Sequence, residues 1–229
     1  MLKVSRRGGL VLAAAQSLLM AFGLRPAIAA ETVGLLKEME NDVWGSLAGF
    51  ARAPLSLSSA VFKNQKLETG DDSAAVVKFI DASQLSLGEN AKLTIDDYVY
   101  AGQNSRSSVM LAKGAFRFIS GQMPEKNMKL NTPTVGIGIR GTELLIDVYD
   151  DGSTEMSTIE GAASVVSIST NEVLEVGAGH SILADARGIF IGGVRDFVHE
   201  TADRAVQRGI DELRSRSPIP LPDIPNPFR

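Results

Sequence analysis

Cysteine is absent from this 229-residue chain, and histidine occurs only twice, at His180 and His199. Without thiols there is no disulfide framework, no lipid carried on an N-terminal cysteine and no thiol catalysis. Two distant histidines give no ligand spacing for zinc. His180 sits in Gly179-His-Ser181, and no G-x-S-x-G elbow occurs in the chain, so a Ser-His-Asp triad lacks its context. Aromatic residues are scarce as well, with one Trp, three Tyr and nine Phe. A glycan cleft lined by aromatic rings would have little to draw on, and the lone Trp44 is expected in the core. Acidic pairs do occur, at Asp71-Asp72, Asp96-Asp97 and Asp150-Asp151, but neighbours on a strand point to opposite faces and do not converge as an acid/base dyad. Asp147 to Gly152 has the look of a calcium loop, yet Tyr149 replaces one ligand and Thr158 stands where a bidentate Glu belongs, so a hairpin tip is expected. No catalytic residue, cofactor or metal ligand is predicted.

What the chain does have begins at its N-terminus. Lys3, Arg6 and Arg7 form a basic head, Gly8 to Leu24 carries no charge, and Ala27-Ile28-Ala29 offers small residues for cleavage. This predicts a signal peptide over residues 1–29, cut after Ala29, and export to the periplasm. A membrane anchor is the alternative, but three glycines, Gln16 and Ser17 leave the stretch weakly apolar for that job. Ser5-Arg6-Arg7-Gly8-Gly9-Leu10 also resembles a twin-arginine export signal, with Gly9 where Phe is usual. Cleavage removes four basic groups and no acidic one, which takes the net charge from −4 to −8. So acidic a product is unsuited to nucleic acid, whose affinity comes from clustered Lys and Arg.

A lead-in segment, 30–54, can be read two ways. Leu36, Met39, Val43 and Leu47 fit a helical face, while Val33-Gly-Leu35 and Asp42-Val-Trp-Gly45 fit short strands around an Asn41-Asp42 turn. From there to residue 189 the pattern is period-two: Ala75-Val77-Phe79, Leu85-Leu87, Leu93-Ile95, Val109-Leu111, Phe116-Phe118, Ile146-Val148 and Met156-Thr158, separated by Gly/Asp/Asn/Ser clusters. This predicts an all-β domain over 55–189, of many short strands in a sandwich or a solenoid-like roll. Val194, Phe197, Val198, Ala205, Val206, Ile210 and Leu213 then lie at helical spacing among balanced charges, predicting an amphipathic α-helix over 190–214 that docks on the β domain or meets a partner. Five prolines make the tail, 215–229, extended and polyproline-like.

Within the β region, Gly136, Gly138 and Gly141 satisfy the dinucleotide pattern G-x-G-x-x-G. That loop needs a helix after its glycines so that backbone N–H groups can face a pyrophosphate. Here Glu143-Leu-Leu-Ile-Asp-Val-Tyr149 follows, a strand-former ending at the Asp151-Gly152 turn, so a nucleotide role is set aside.

The same segment carries a resemblance. Ile95-Asp-Asp-Tyr-Val-Tyr100, Lys113-Gly-Ala-Phe-Arg-Phe-Ile-Ser-Gly121, Thr132-Pro133, Gly138-Ile-Arg-Gly-Thr142 and Glu160-Gly161 resemble the FecR-domain proteins in order and spacing, over about residues 55 to 185. The signature positions are Asp96, Tyr98, Gly114, Arg117, Gly121, Thr132, Pro133, Gly138, Arg140, Gly141, Thr142, Glu160 and Gly161, read as structural and as a possible contact surface. Ala82 replaces the family's usual Gly in the Asp81-Ala-Ser83 turn. The resemblance implies a non-catalytic, all-β periplasmic domain of the signalling type. In the best-known members it relays a receptor signal through a membrane helix and an anti-sigma segment; here a cleavable signal stands in their place, which implies a free-standing form. Arg140 is expected to use its planar fork on backbone carbonyls or on Asp96, Asp97 or Asp147. The predicted function is a protein-binding, signalling or scaffold module of the cell envelope with an envelope protein as partner, no nucleic acid, no cofactor and no integral membrane span. An envelope polysaccharide or peptidoglycan module is the alternative, and an enzyme of unrecognised type the third reading. Contact would run through an exposed sheet edge, the C-terminal helix or the proline tail.

Overall fold

A computed structural model of the chain describes residues 30–124 and 127–196. The predicted signal peptide, the proline tail and residues 197–214 of the predicted helix lie outside the described residues. Fifteen strands are present in these two stretches. In chain order they are β1 (Thr32–Glu40), β2 (Val43–Leu47), β3 (Ala53–Pro54), β4 (Ala60–Phe62) and β5 (Gln65–Thr69). Next come β6 (Ala74–Phe79), β7 (Gln84–Leu87), β8 (Lys92–Val99), β9 (Arg106–Ile119) and β10 (Met128–Asn131). The last are β11 (Val135–Val148), β12 (Thr154–Ser167), β13 (Val173–Gly177), β14 (His180–Ala184) and β15 (Arg195–Asp196). The all-β reading holds. The ambiguous lead-in resolves as strands, because Asn41 takes a positive φ of 52° and turns β1 into β2.

Three strands of 14 residues each organise the rest, and a glycine interrupts each of them. In β9 the buried side chains are Ser107, Val109 and Leu111 before Gly114, then Phe116 and Phe118 after it. In β11 the inward-facing ones are Val135, Ile137 and Ile139 before Gly141, then Thr142, Leu144, Ile146 and Val148, while Leu145 is buried on the opposite face. In β12 the inward-facing ones are Thr154, Met156 and Thr158 before Gly161, then Ala163, Val165 and Ser167, while Ser157 is buried on the opposite face. Odd gives way to even, or even to odd, each time. A bulge does this by inserting one residue, and it bends the strand at that point. All three glycines have positive φ, 107°, 61° and 76°, which a side chain would resist. A Cβ on Gly114 would also lie 2.6 Å from the Ala91 Cα, and one on Gly161 2.2 Å from the Gly141 carbonyl oxygen.

The bends fold one continuous sheet into two facing layers. The first runs β4-β1-β6-β7, the second half of β9, the second half of β11, the first half of β12, β14 and β15. The second runs β3-β2-β5-β8, the first half of β9, β10, the first half of β11, the second half of β12 and β13. Among the described strands only β9 and β10 pair in parallel, so the architecture is an antiparallel, sandwich-like fold and not a stack of parallel coils. One hydrophobic core joins the layers, with Leu36, Val77, Leu85, Phe116, Phe118 and Ile146 from the first and Leu67, Leu93, Ile95, Leu111, Leu130 and Ile137 from the second.

Two sequence expectations need correction. Trp44 is not a core anchor: it is half-buried on the outer face of the second layer, with the Arg52 guanidinium 3.7 Å above its ring, since its inward neighbours Val43 and Gly45 leave it facing out. The few described residues of the predicted helix form a bridge at Phe190 and the short strand β15, because Arg195 and Asp196 complete the ladder of β14.

Candidate functional site

Each end of the two-layer fold is closed by a buried polar cluster. At one end, Asp81 and Ser83 in the β6–β7 turn meet Tyr98 of β8, all three at most 1% exposed. The Tyr98 hydroxyl donates to Asp81 Oδ1 at 2.5 Å and the Ser83 hydroxyl to the same oxygen at 2.6 Å. Asp81 Oδ2 takes the Met123 N–H at 3.3 Å. The Tyr98 ring stacks on Phe79 with centroids 4.6 Å apart. Burial, reinforced by the hydrogen bond to Asp81, pushes the Tyr98 phenol far above its usual range, so it stays a donor. The close approach extends to Gly121, where a Cβ would sit 2.2 Å from the Ser83 nitrogen. Ala82, in the family's glycine position, accordingly holds a φ of 69°.

At the other end, threonines fasten the start of β11 to the β11–β12 hairpin. The Thr154 hydroxyl donates to Thr132 Oγ1 at 2.9 Å, and the Thr134 and Thr154 hydroxyls lie 2.9 Å apart. Thr132 Oγ1 receives the Val135 N–H at 3.1 Å, and Pro133 packs over Gly152. Thr134 and Thr154 were missed by sequence reasoning; the repeated threonine around Pro133 was the available signal. An open concavity of about 650 Å³ at this end is lined by Glu89, Lys113, Asp147, Tyr149, Asp150 and Ser153 among others. Burial, with a lesser push from Glu155, raises the Asp147 carboxyl to about 6.

The remaining signature positions lie on outer faces. Arg117, outside the first layer, is paired with Glu143 through Nε at 2.8 Å and Nη2 at 2.5 Å. Glu160 is exposed opposite Glu143. Asp96 is exposed at a bulge in β8, and partial burial raises its carboxyl pKa. The expected buried fork of Arg140 does not exist. Its side chain is 63% exposed, and its nearest carboxylate is Glu175 at 3.6 Å. Asp97 is instead paired with Lys63 and Arg106, whose hydrogen bonds, Lys63 first, hold its carboxyl below the usual range. Arg140 falls just before the parity change at Gly141, which turns it outward. Gly138 also faces out, on a bare strip with Gly136 and Ser164. The signature thus divides: Tyr98, Gly114, Gly121, Thr132, Pro133, Gly141, Thr142 and Gly161 build the fold, and the others decorate its surface.

Among the described strands, one edge of the second layer presents its backbone outward. β13 is the outermost strand of the second layer and pairs only with β12 among the described strands. The Ser167 N–H bonds to the Glu172 carbonyl at 2.9 Å and the Ala178 N–H to the Gly161 carbonyl at 3.1 Å. By the alternation of an antiparallel ladder, residues 172, 174, 176 and 178 direct their backbone to β12, and Val173, Glu175 and Gly177 direct theirs outward. Val173 is 54% exposed. Among the described residues there is no group of three or more His, Cys, Asp or Glu able to hold a metal, and no helix long and apolar enough to cross a membrane.

Comparison with known proteins agrees with the motif assignment. Residues 65–164 match the family described as FecR protein. No curated protein matches the chain in sequence. Two crystal structures, at 2.50 and 1.65 Å resolution, of a protein described as a candidate anti-sigma factor from Parabacteroides distasonis ATCC 8503 are similar in fold. Each has 13% identity and a TM-score of 0.47, covering 57% of this chain. This chain spans 59% of that protein's structure. The matched segment runs from β5 into β12 and includes every glycine corner of the long strands, so residues 65–164 of this chain are similar to the FecR family.

Proposed function

We propose that this FecR domain is a non-catalytic signalling or regulatory module of the periplasm that captures an extended segment of an envelope protein along β13. The observation that carries the reading is the outward backbone of Val173, Glu175 and Gly177, which offers donors and acceptors to one more strand. Main-chain hydrogen bonds would supply affinity. Side chains beside the edge would supply selection, with an apolar residue against Val173 and a cation against Glu175. The similarity of residues 65–164 to the FecR family supports a regulatory protein of the envelope.

Glu175→Pro tests this. The N–H it removes points away from β12, so the ladder within the domain keeps its bonds, while an added strand loses one and meets a proline ring. Tagged chain recovered from the periplasm should retain a defined protein, and Glu175→Pro should lose it at an unchanged melting temperature. Equal recovery by both chains would reject the edge as the site, and retention of glycan in place of protein would favour a polysaccharide-binding module.

A further inference from the structure

The two outer faces carry opposite charge. Outside the second layer, Lys66, Lys92, Arg106, Lys129 and Arg140 supply one cation from each of β5, β8, β9, β10 and β11. Arg52 joins them over the Trp44 ring, and Lys63 through its pairing with Asp97. Against these seven cations stand four carboxylates, Glu68, Asp96, Asp97 and Glu175, which leaves the face at +3. Pairing does not remove the excess: Glu68 is shared by Arg52 at 2.8 Å and Lys92 at 3.6 Å, and Asp97 by Lys63 and Arg106. Lys66 and Lys129 are exposed and have no ion pair among the described residues. Outside the first layer, Lys37, Lys78, Arg117 and Arg195 meet Glu38, Glu40, Glu143, Asp147, Glu155 and Glu160, a net charge of −2. A positive face is therefore set in a chain whose predicted mature form is acidic.

We propose that the outer face of the second layer docks on the surface of a bilayer rich in anionic lipid. The spread of the charge carries the assignment. With one cation per strand, the seven extend over six strand spacings from β3 to β11, about 29 Å, so no compact anion can meet them together while a plane of headgroups can. Between them the face is made of short side chains, Thr94, Ser108, Gly136, Gly138 and Ser164, over which lysine stems can lie and headgroups approach. An open concavity of about 390 Å³ bounded by Lys129, Gly138, Arg140, Ser164 and Glu175 gives one headgroup a seat. Apolar groups stand at both margins. Phe50, 76% exposed, is in the connection between β2 and β3 beside Trp44 and Arg52, and Ile168 and Val173, 56 and 54% exposed, stand at the opposite side of the layer. Lysine and arginine combined with exposed aromatic and aliphatic groups is the chemistry of an interfacial surface. The acidic remainder of the molecule is repelled by such a bilayer and fixes which face turns towards it.

Vesicle sedimentation tests this with chain recovered from the periplasm. It should pellet with vesicles of equal parts phosphatidylglycerol and phosphatidylcholine at low salt, and stay in solution with phosphatidylcholine alone or at high salt. Lys66→Gln with Lys129→Gln should lower the partition coefficient about thirtyfold, since each cation at an anionic surface is worth about five- to sixfold. Lys37→Gln with Lys78→Gln makes the same charge change outside the first layer and should stay within about twofold of the parent. All four lysines are exposed, so the fold is not at stake. The lone tryptophan gives a second reading: Trp44 lies on the docking face, and its emission should be quenched by lipid with brominated acyl chains. Glu175→Pro should pellet like the parent, which keeps this surface separate from the β13 edge. Chain left in the supernatant with anionic vesicles, equal weakening by the two lysine pairs, or unquenched Trp44 in the pelleted chain would each overturn the proposal. Loss of an acidic protein from the periplasmic recovery on Lys66→Gln with Lys129→Gln, with no vesicle binding by the parent, would assign the face to a protein instead.

Discussion

The two outer faces of this fold come from the same strands and the same alternation, yet they differ in burial. Outside the first layer, Val76, Ser86, Leu145, Ser157 and Ser181 are all at most 8% exposed. Outside the second, none of Lys129, Gly138, Arg140, Ser164 and Glu175 is buried. The strands encode the difference in their inward-outward contrast. Ala74-Ala-Val-Val77 in β6 and Leu144-Leu-Ile146 in β11 are continuous apolar runs, the pattern of a strand covered on both faces. Val135-Gly-Ile-Gly-Ile139, in the other half of β11, alternates strictly and suits a strand covered on one. A single strand therefore changes its relation to solvent at Gly141, where it changes layer.

Charging each face in turn should break the symmetry most visibly. Leu145→Lys removes a side chain worth roughly 1.5–3 kcal/mol when buried and places an ammonium among small residues, so a loss of about 3 kcal/mol in urea unfolding is expected. Ser164→Lys, the corresponding change outside the second layer, should stay within about 0.5 kcal/mol. Comparable losses from the two would mean that both faces are covered. Asp147→Asn probes the same contrast by titration. The folded carboxyl, raised to about 6 from an ordinary 3.8, binds more protons than the unfolded chain between those values. Stability should accordingly rise as pH falls from 7 to 4, and the cost of the charged group is full above pH 6. Screening of a part-exposed group holds that cost to about 1 kcal/mol, so Asp147→Asn should be the more stable protein at pH 7.5 and equal to the parent near pH 4.

Much of this architecture was legible because it depends on local rules. Period-two runs and Gly/Asp turns placed the strands from Ala75 to Thr158, and the failure of Gly136, Gly138 and Gly141 to lead into a helix argued against a phosphate cradle. The layers were not legible. They arise from long-range pairings, such as Glu143 with Ile119 and Thr158 with His180, that no window of sequence contains. Arg140 was misjudged for the same reason. Between glycines in a signature it looked like a buried fork, but the bulge beside it decides which way it points, and a bulge is invisible until the partner strand is known. Tyr98 shows the converse: its motif marked it, but its partner Asp81 is 17 residues away, in a turn the sequence had singled out for another reason, the alanine at 82.

A smaller effect separates the glycines of the two settings. Gly141 and Gly161 are required by their φ, whereas Gly138 has ordinary strand dihedrals and a Cβ there would meet the Ser164 carbonyl at 3.6 Å, a normal contact. Gly138→Ala should therefore stabilise the protein by about 0.5 kcal/mol, through the lower entropy of its unfolded chain. A destabilised Gly138→Ala would show that the second outer face is covered after all.

Smallest of all should be Arg140→Ala. Its partner Glu175 is 57% exposed and 3.6 Å away, and an ion pair in that setting contributes about 0–0.5 kcal/mol. The urea midpoint should not move. The position is nevertheless informative, because Glu175 belongs to β13, the edge proposed to receive a strand, and Arg140 shares its charge. Removing the arginine frees that carboxylate for a cation on the incoming segment, so partner recovery should be kept or improved while stability stays constant. Were Arg140→Ala to lower the midpoint by 2 kcal/mol or more, the arginine would be holding the fold, and the division between a structural interior and a contact-making second face would not stand.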